Sequence, residues 1–169
     1  MQHTAWISSS VLPPERNGDW KMTPEALRLL PREKLLFYVA DDLTPPIREH
    51  VRQLVERSAK ERQWLLGPPK YIELVEHFAT RIEDLPVETV GGEFEVYSPH
   101  AADELPTEVD AQLYTEVNQL VQAVRSLSEE HGVAFEFMYG GNYAGAIEAG
   151  KINRTLQVGL LDEWRKRVV

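Results

Sequence analysis

The chain contains no cysteine among its 169 residues. This absence excludes disulfide bonds, thiolate metal sites and a cysteine nucleophile, and it is typical of a protein that works in a reducing compartment. Apolar residues make up 43% and charged residues 27% of the chain, a balance that suits an ordinary folded core. The length fits one domain, which we predict to span residues 1–169.

Long apolar runs are also missing. No stretch approaches the roughly 18 consecutive apolar residues that a membrane-spanning helix needs. The first ten residues, M-Q-H-T-A-W-I-S-S-S, lack the basic region and the apolar region of a secretory signal. We therefore predict a cytoplasmic protein that does not act on membranes.

Basic residues are absent from one long segment, between Arg81 and Arg125. Its ten acidic residues leave 17 elsewhere against all 18 basic residues of the chain, so this one segment accounts for the whole net charge of −9. We expect these acidic side chains to gather on one exposed surface, where their concentrated negative field would repel nucleic acid and steer a basic protein. The acidic residues of the segment are Glu83, Asp84, Glu88, Glu93, Glu95, Asp103, Glu104, Glu108, Asp110 and Glu116.

Helix starts can be recognised from capping residues. Thr23-Pro24 and Thr44-Pro45 each combine an N-cap threonine with a first-turn proline, and apolar residues follow at helical spacing. Ser58 to Glu61 matches a capping box and predicts a separate short helix. Thr107 opens the longest predicted helix as its N-cap, with Gly132 as its stop. Asn153 is expected to cap a last helix that ends in basic residues.

Strand patterns are found in four segments before the long helix and in a hairpin after it. Residues 4–12 could form a strand, and the apolar run at 34–40 predicts a central strand that is buried on both faces. Residues 71–78 and 89–98 are expected to pair. In the second of these strands Phe94 and Val96 point one way, while Glu93, Glu95 and Tyr97 point the other.

A β-hairpin is predicted over residues 132–150, because apolar and polar residues alternate on both sides of Gly140-Gly141-Asn142. A three-residue loop keeps the phenylalanines on one face and leaves Glu136 and Glu148 on the other. The expected pairs are Phe135 with Ile147, Phe137 with Gly145 and Tyr139 with Tyr143.

Together these elements predict an α+β fold. We expect a mainly antiparallel sheet of five or six strands, with the long helix and the C-terminal helix packed on one face, because strand pairs follow one another without strict βαβ alternation.

Metal and cofactor sites have no support in the sequence. The histidines are widely spaced, and no zinc-protease or calcium-loop pattern occurs. Glycines 140, 141 and 145 are close together, but they lead into a strand and not into a helix N-terminus, so they do not indicate a phosphate loop. We predict no cofactor. The histidines are His3, His50, His77, His100 and His131.

Three function classes remain: a protein-binding module, an enzyme, and a structural subunit of a larger assembly, which would show an exposed apolar patch or a concentration-dependent oligomer. A hydrolase or transferase would have its site at Asp41, Asp42 and His50, because adjacent carboxylates stand at the end of a predicted central strand. The basic cluster at 165–167 suits a helix end, so nucleic acid is not expected as a partner.

The leading hypothesis is a non-enzymatic binding module whose acidic sheet face docks a basic protein. The binding residues would be Glu93, Glu95, Tyr97, Glu136 and Glu148, provided that both strand pairs share one sheet face. In general character, a small acidic cysteine-free α+β domain resembles the immunity proteins of bacterial toxin systems. That resemblance rests on no motif and implies only that the partner could be a toxin.

Overall fold

A computed structural model describes residues 23–76 and 87–169. The described chain contains four α-helices, a 3₁₀ helix at Pro99–Glu104 and a π-helix at Thr155–Asp162. The α-helices are α1 (Pro24–Leu29), α2 (Pro45–Lys60), α3 (Thr107–His131) and α4 (Glu163–Val168). The strands are β1 (Arg32–Val39), β2 (Lys70–Glu76), β3 (Val87–Tyr97), β4 (Phe135–Tyr139), β5 (Asn142–Glu148) and β6 (Lys151–Ile152). The possible strand at 4–12 and the end of the one predicted at 71–78 lie outside the described residues.

The six strands form one sheet in the order β2-β3-β1-β4-β5-β6, and every neighbouring pair is antiparallel. Helix α2 packs on β2 and β3, α3 packs on β5 and β6, and the π-helix packs on β5. These helices cover the same face of the sheet. The predicted α+β fold, with an antiparallel sheet and helices on one face, is confirmed.

The first two helices begin as their capping residues predict. The Thr23 hydroxyl accepts a hydrogen bond from the Ala26 N–H at 3.1 Å, and the Thr44 hydroxyl accepts one from the Ile47 N–H at 3.4 Å. The predicted helix start at Ser58 is wrong, because α2 continues to Lys60 and buries Ser58 in its last turns. The residues after α2 form a loop instead.

Helix α3 presents the predicted apolar stripe to the core and ends at Gly132, which takes the left-handed conformation at φ +67°. The Gly132 N–H donates to the Ser128 carbonyl at 2.8 Å. Its start differs by one residue from the prediction: Pro106 precedes the helix, and Thr107 is its first residue and makes no capping bond. The buried apolar residues of α3 are Val109, Leu113, Val117, Leu120, Val121, Val124 and Leu127.

Strand β1 occupies a central position in the sheet, as predicted, but it is buried on one face only. Leu35 and Phe37 point to the helices and are almost fully buried, whereas Leu36 and Tyr38 point to the opposite face and are half-buried. An apolar run as continuous as this one is typical of a strand covered on both sides. The described helices pack on the face that carries Leu35 and Phe37, and none of them lies over the row that carries Leu36 and Tyr38.

The hairpin has the predicted partners near its base but a shorter turn. Phe135 pairs with Ile147 and Phe137 with Gly145, whereas Tyr139 pairs with Asn142 and not with Tyr143. Two glycines at φ +59° and +84° therefore form a two-residue turn, the geometry that suits the twist of paired strands. A bulge at Ala144 takes up the extra residue and keeps the phenylalanines facing the helices. In a hairpin without a bulge, a two-residue turn would place the phenylalanines on the face that carries Glu148, which is why the sequence predicts a three-residue loop.

The C-terminal helix consists of the π-helix followed by α4. The Asn153 side chain caps it as predicted, because its Oδ1 accepts from the Leu156 N–H at 3.0 Å and from the Ala146 N–H of β5 at 3.1 Å. Leu156 lies directly on Gly145, where an added Cβ would come within 2.4 Å of the Leu156 Cβ. The helix is thus fixed to the hairpin at a position that only glycine can occupy.

Candidate functional site

The face of the sheet opposite α2, α3 and the C-terminal helix is named the open face here. Strand register aligns two rows of side-chain positions across it. One row consists of Lys70, Glu93, Leu36, Met138 and Tyr143, and the other of Ile72, Gly91, Tyr38, Glu136 and Ala146.

The predicted binding residues Glu93 and Glu95 lie on the open face, each beside a cation from β1. Lys34 Nζ is 3.0 Å from Glu93 Oε2, and Arg32 Nη1 is 2.9 Å from Glu95 Oε1. The local charge on this part of the face is therefore compensated. The sequence did not reveal these pairs, because their partners are about 60 residues apart along the chain.

Tyr97 has the same strand parity as these two glutamates, yet its side chain is only 3% exposed. Its backbone carbonyl accepts a hydrogen bond from the Tyr139 hydroxyl at 2.8 Å. Burial raises the pKa of the Tyr97 phenol. The prediction that Tyr97 is an exposed aromatic anchor is wrong, since almost none of its ring is accessible.

Glu136 and Glu148 also lie on the open face, so the structure places both strand pairs on one surface. The Tyr38 hydroxyl donates to Glu136 Oε1 at 2.7 Å. This hydrogen bond to a carboxylate, together with partial burial, raises the pKa of Tyr38 to about 12. Within the described residues neither Glu136 nor Glu148 makes an ion pair, although the exposed Glu148 is opposite Lys151 of β6 in the strand register.

Aromatic and apolar side chains surround Glu136. Leu36, Met138 and Ala146 are half-buried around it, and Tyr143 is 53% exposed on the neighbouring strand. Asn153 Nδ2 donates to the Tyr143 hydroxyl at 3.0 Å, which fixes one end of that ring. The result is a single carboxylate framed by two tyrosines on an apolar surface, which we call the Glu136 patch.

Three other acidic residues of the middle segment, Glu88, Asp110 and Glu116, lie apart from the open face. Glu88 lies under α2, where Arg48 Nη2 donates to it at 2.9 Å. Asp110 is buried and accepts from Trp164 Nε1 and from Arg167 Nε, both at 2.7 Å. The expectation that the segment gathers its charge on one surface is therefore wrong for these side chains.

Glu116 is a second buried carboxylate, with an exposure of 0%. It accepts from the Leu65 N–H at 3.1 Å and from Gln112 Nε2 at 2.9 Å, so it anchors the loop after α2 to α3. Burial raises the pKa of Glu116, although these hydrogen bonds oppose the shift. Glu116 therefore has a structural role in the core.

The structure does not join the residues of the alternative site, Asp41, Asp42 and His50, to one another. Asp41 Oδ2 accepts from the Ala134 N–H at 2.8 Å, which ties the end of β1 to the residue before β4. His50 stacks on His131, with ring centroids 4.0 Å apart and an interplanar angle of 25°. No hydrogen bond joins His50 to either aspartate in the described chain, and Asp42 is exposed.

Within residues 23–76 and 87–169, no group of three or more histidine or carboxylate side chains is arranged to hold a metal ion. None of the helices in these ranges combines the length and apolar character required to cross a bilayer.

No protein-family description matches this chain, and comparisons with curated proteins and with solved structures find no match either.

Proposed function

We propose that this protein is a non-enzymatic binding module whose Glu136 patch docks a basic side chain of a partner protein. The observation that carries the proposal is the Tyr38–Glu136 hydrogen bond of 2.7 Å on an otherwise apolar part of the open face. Tyrosines and partly desolvated charges are typical of the residues that dominate binding energy at protein interfaces.

A lysine or arginine from a partner fits this patch for two reasons. Glu136 supplies a carboxylate that no described cation neutralises, and the rings of Tyr38 and Tyr143 can contact the same cation through their faces. The net charge of −9 adds long-range attraction for a cationic protein and would raise its association rate.

Glu93 and Glu95 have a secondary role in this proposal. Because Lys34 and Arg32 already pair with them, they form a polar border beside the apolar centre. Such a border contributes less to affinity than a desolvated centre. Immunity and antitoxin-type proteins inhibit a toxin by binding it. We include in the proposal that this protein belongs to that class and that its basic partner is a toxin.

Affinity capture from the native organism, followed by binding measurements on the captured partner, tests the assignment. Glu136→Lys reverses the charge at the patch, so we expect the affinity to fall by roughly tenfold or more at low salt. Glu130→Lys makes the same charge change on the exposed surface of α3 and serves as the matched control. We expect it to change the affinity by less than about twofold.

A partner that binds Glu136→Lys as tightly as the wild type would contradict the assignment of this surface. Binding that does not weaken with salt would contradict the cationic nature of the partner. The enzyme alternative would be favoured instead by a turnover that Asp42→Asn abolishes while the protein remains folded.

A further inference from the structure

Strand β2 forms one edge of the sheet in the described chain. Its seven residues, Lys70–Glu76, pair with β3 on one side only. Every second residue of such a strand directs its N–H and C=O away from the sheet, ready to pair with another strand. Leu74 and Val75 are also exposed, by 53% and 51%, which is unusual for large apolar side chains in a sheet. β2 is therefore an edge that both hydrogen bonding and apolar contact could extend.

The sequence of β2, K-Y-I-E-L-V-E, is complementary to itself when read in the opposite direction. If two copies align antiparallel about Glu73, every residue except Glu73 is opposite one of opposite charge or of apolar character. Lys70 is opposite Glu76, Tyr71 is opposite Val75, and Ile72 is opposite Leu74. Opposite charges and aromatic or aliphatic pairs are the cross-strand combinations that stabilise sheets.

We propose that two copies of this chain associate through β2, antiparallel, with Glu73 of each copy at the two-fold axis. The interface is isologous, as in most homodimers, and joins the two six-stranded sheets into one continuous sheet. This association is independent of the Glu136 patch.

The face on which each pair lies is consistent with this arrangement. Lys70, Ile72, Leu74 and Glu76 alternate onto the open face, so the charge pairs and the Ile72–Leu74 pairs form one row there. Neither Lys70 nor Glu76 makes an ion pair within the described part of the chain. Both copies would direct their helices to the same side, since the two-fold axis is perpendicular to the sheet.

Charge selects the antiparallel direction. Natural edge strands often carry lysine or glutamate to prevent pairing with other chains. In β2 the end charges have opposite signs, so a parallel in-register pair would place Lys70 against Lys70 and Glu76 against Glu76. The antiparallel pair places each lysine against a glutamate instead.

Glu73 is the unfavourable position, because like charges directly opposite each other destabilise a sheet. Two bonds within each copy reduce this effect. Arg48 Nη1 donates to Glu73 Oε2 at 2.6 Å, and the Tyr71 hydroxyl donates to Glu73 Oε1 at 2.9 Å. Glu73→Gln removes the repulsion and leaves Arg48 bonded to Glu88, so this variant should associate more tightly than the wild type.

The test is sedimentation equilibrium of the full chain over a concentration series from about 1 to about 500 µM, because association through a single strand pair is expected to be weak. We expect the dimer fraction of the wild type to rise with concentration. Lys70→Glu and Glu76→Lys should each weaken the dimer by roughly tenfold, since each places like charges at both ends of the interface.

The double variant K70E/E76K restores opposite charges and should recover the wild-type dimer to within about threefold. Lys151→Glu makes the same change on β6, at the other edge of the sheet, and should leave the dimer unchanged. Circular dichroism of each variant checks that the fold is retained.

A wild-type protein that stays monomeric over the whole series overturns the proposal. A dimer that is insensitive to both single variants, or one that the double variant fails to restore, overturns the β2 interface. Loss of partner binding in Glu136→Lys would leave this result unchanged, so the two proposals fail separately.

Discussion

The two faces of the sheet carry side chains from the same strands, yet they differ in how those side chains are satisfied. On the helix-covered face, Phe37, Phe135 and Phe137 pack together, with ring centroids about 6 Å apart. On the open face, adjacent positions hold cross-strand ion pairs and the Tyr38–Glu136 bond. The comparison indicates that stability resides on one face, which leaves the other free to be used for binding.

The largest expected effect comes from neighbouring residues of β1 that point to opposite faces. Phe37→Ala removes a ring that is 1% exposed and should lower the free energy of unfolding by about 3–5 kcal/mol. Leu36→Ala, on the open face, should lower it by less than about 1.5 kcal/mol because its side chain is only half-buried. Urea denaturation of both variants measures the difference. Equal losses would show that the open face is packed as fully as the other.

Glu116 is a carboxylate enclosed between α3 and the loop after α2, in contrast to Glu136 on the open face. Since burial raises its pKa in the folded state, the folded protein binds more protons than the unfolded chain just above the ordinary glutamate range. Its contribution to stability is therefore present at low pH and is lost as the pH rises through the raised pKa. Glu116→Gln should remove this pH dependence, so its stability relative to the wild type should increase with pH.

Denaturant unfolding from about pH 4 to about pH 8 checks this trend. Glu116→Ala is the matched control, because it also removes the charge but leaves the Leu65 N–H without an acceptor. We expect it to be about 1–3 kcal/mol less stable than Glu116→Gln at every pH. A glutamine variant whose stability changes with pH in parallel with the wild type would mean that folding leaves the pKa of Glu116 unchanged.

The smallest expected effect is on the open face itself. Tyr38→Phe removes the hydrogen bond to Glu136 and should cost about 0.5–1.5 kcal/mol. The raised pKa of about 12 means that the contribution of Tyr38 is complete below its ordinary value and is lost as the pH rises through about 12. Glu136→Gln should lower the Tyr38 pKa toward its ordinary value. NMR titration of the tyrosine ring resonances measures this change, and an unaltered Tyr38 pKa would exclude Glu136 as its cause.

Local signals predicted most of the elements correctly. Thr23 and Thr44 begin helices, Gly132 ends one, and Asn153 caps another, because each bond involves residues only three or four positions apart. The errors also have a local origin. The capping signature at Ser58 was overridden by continued burial of α2, and a two-residue turn at Gly140-Gly141 was overlooked because a bulge can change strand parity.

The candidate surface was less predictable than the fold. Alternation placed Glu93 with Glu95 and Glu136 with Glu148, since side-chain direction in a strand follows from position alone. That the two pairs share one face depends on strand order, which alternation left open. Alternation could not show that Lys34 and Arg32 pair with two of them. The apolar part of the open face could have been anticipated, because helices on one side of the sheet leave the second row of a continuous apolar strand uncovered.

By itself, the sequence determined which segments form helices and strands and which side chains share a strand face, because periodicity and capping act over a few residues. The tertiary structure decided which charged side chains form ion pairs and which of them are buried. Whether Glu93 meets Lys34, whether Asp110 is buried against Arg167, and whether Glu136 meets a cation of the described chain depend on strand order and helix packing. Electrostatic interactions depend on distance in space, and the residues that meet in these pairs are far apart along the chain.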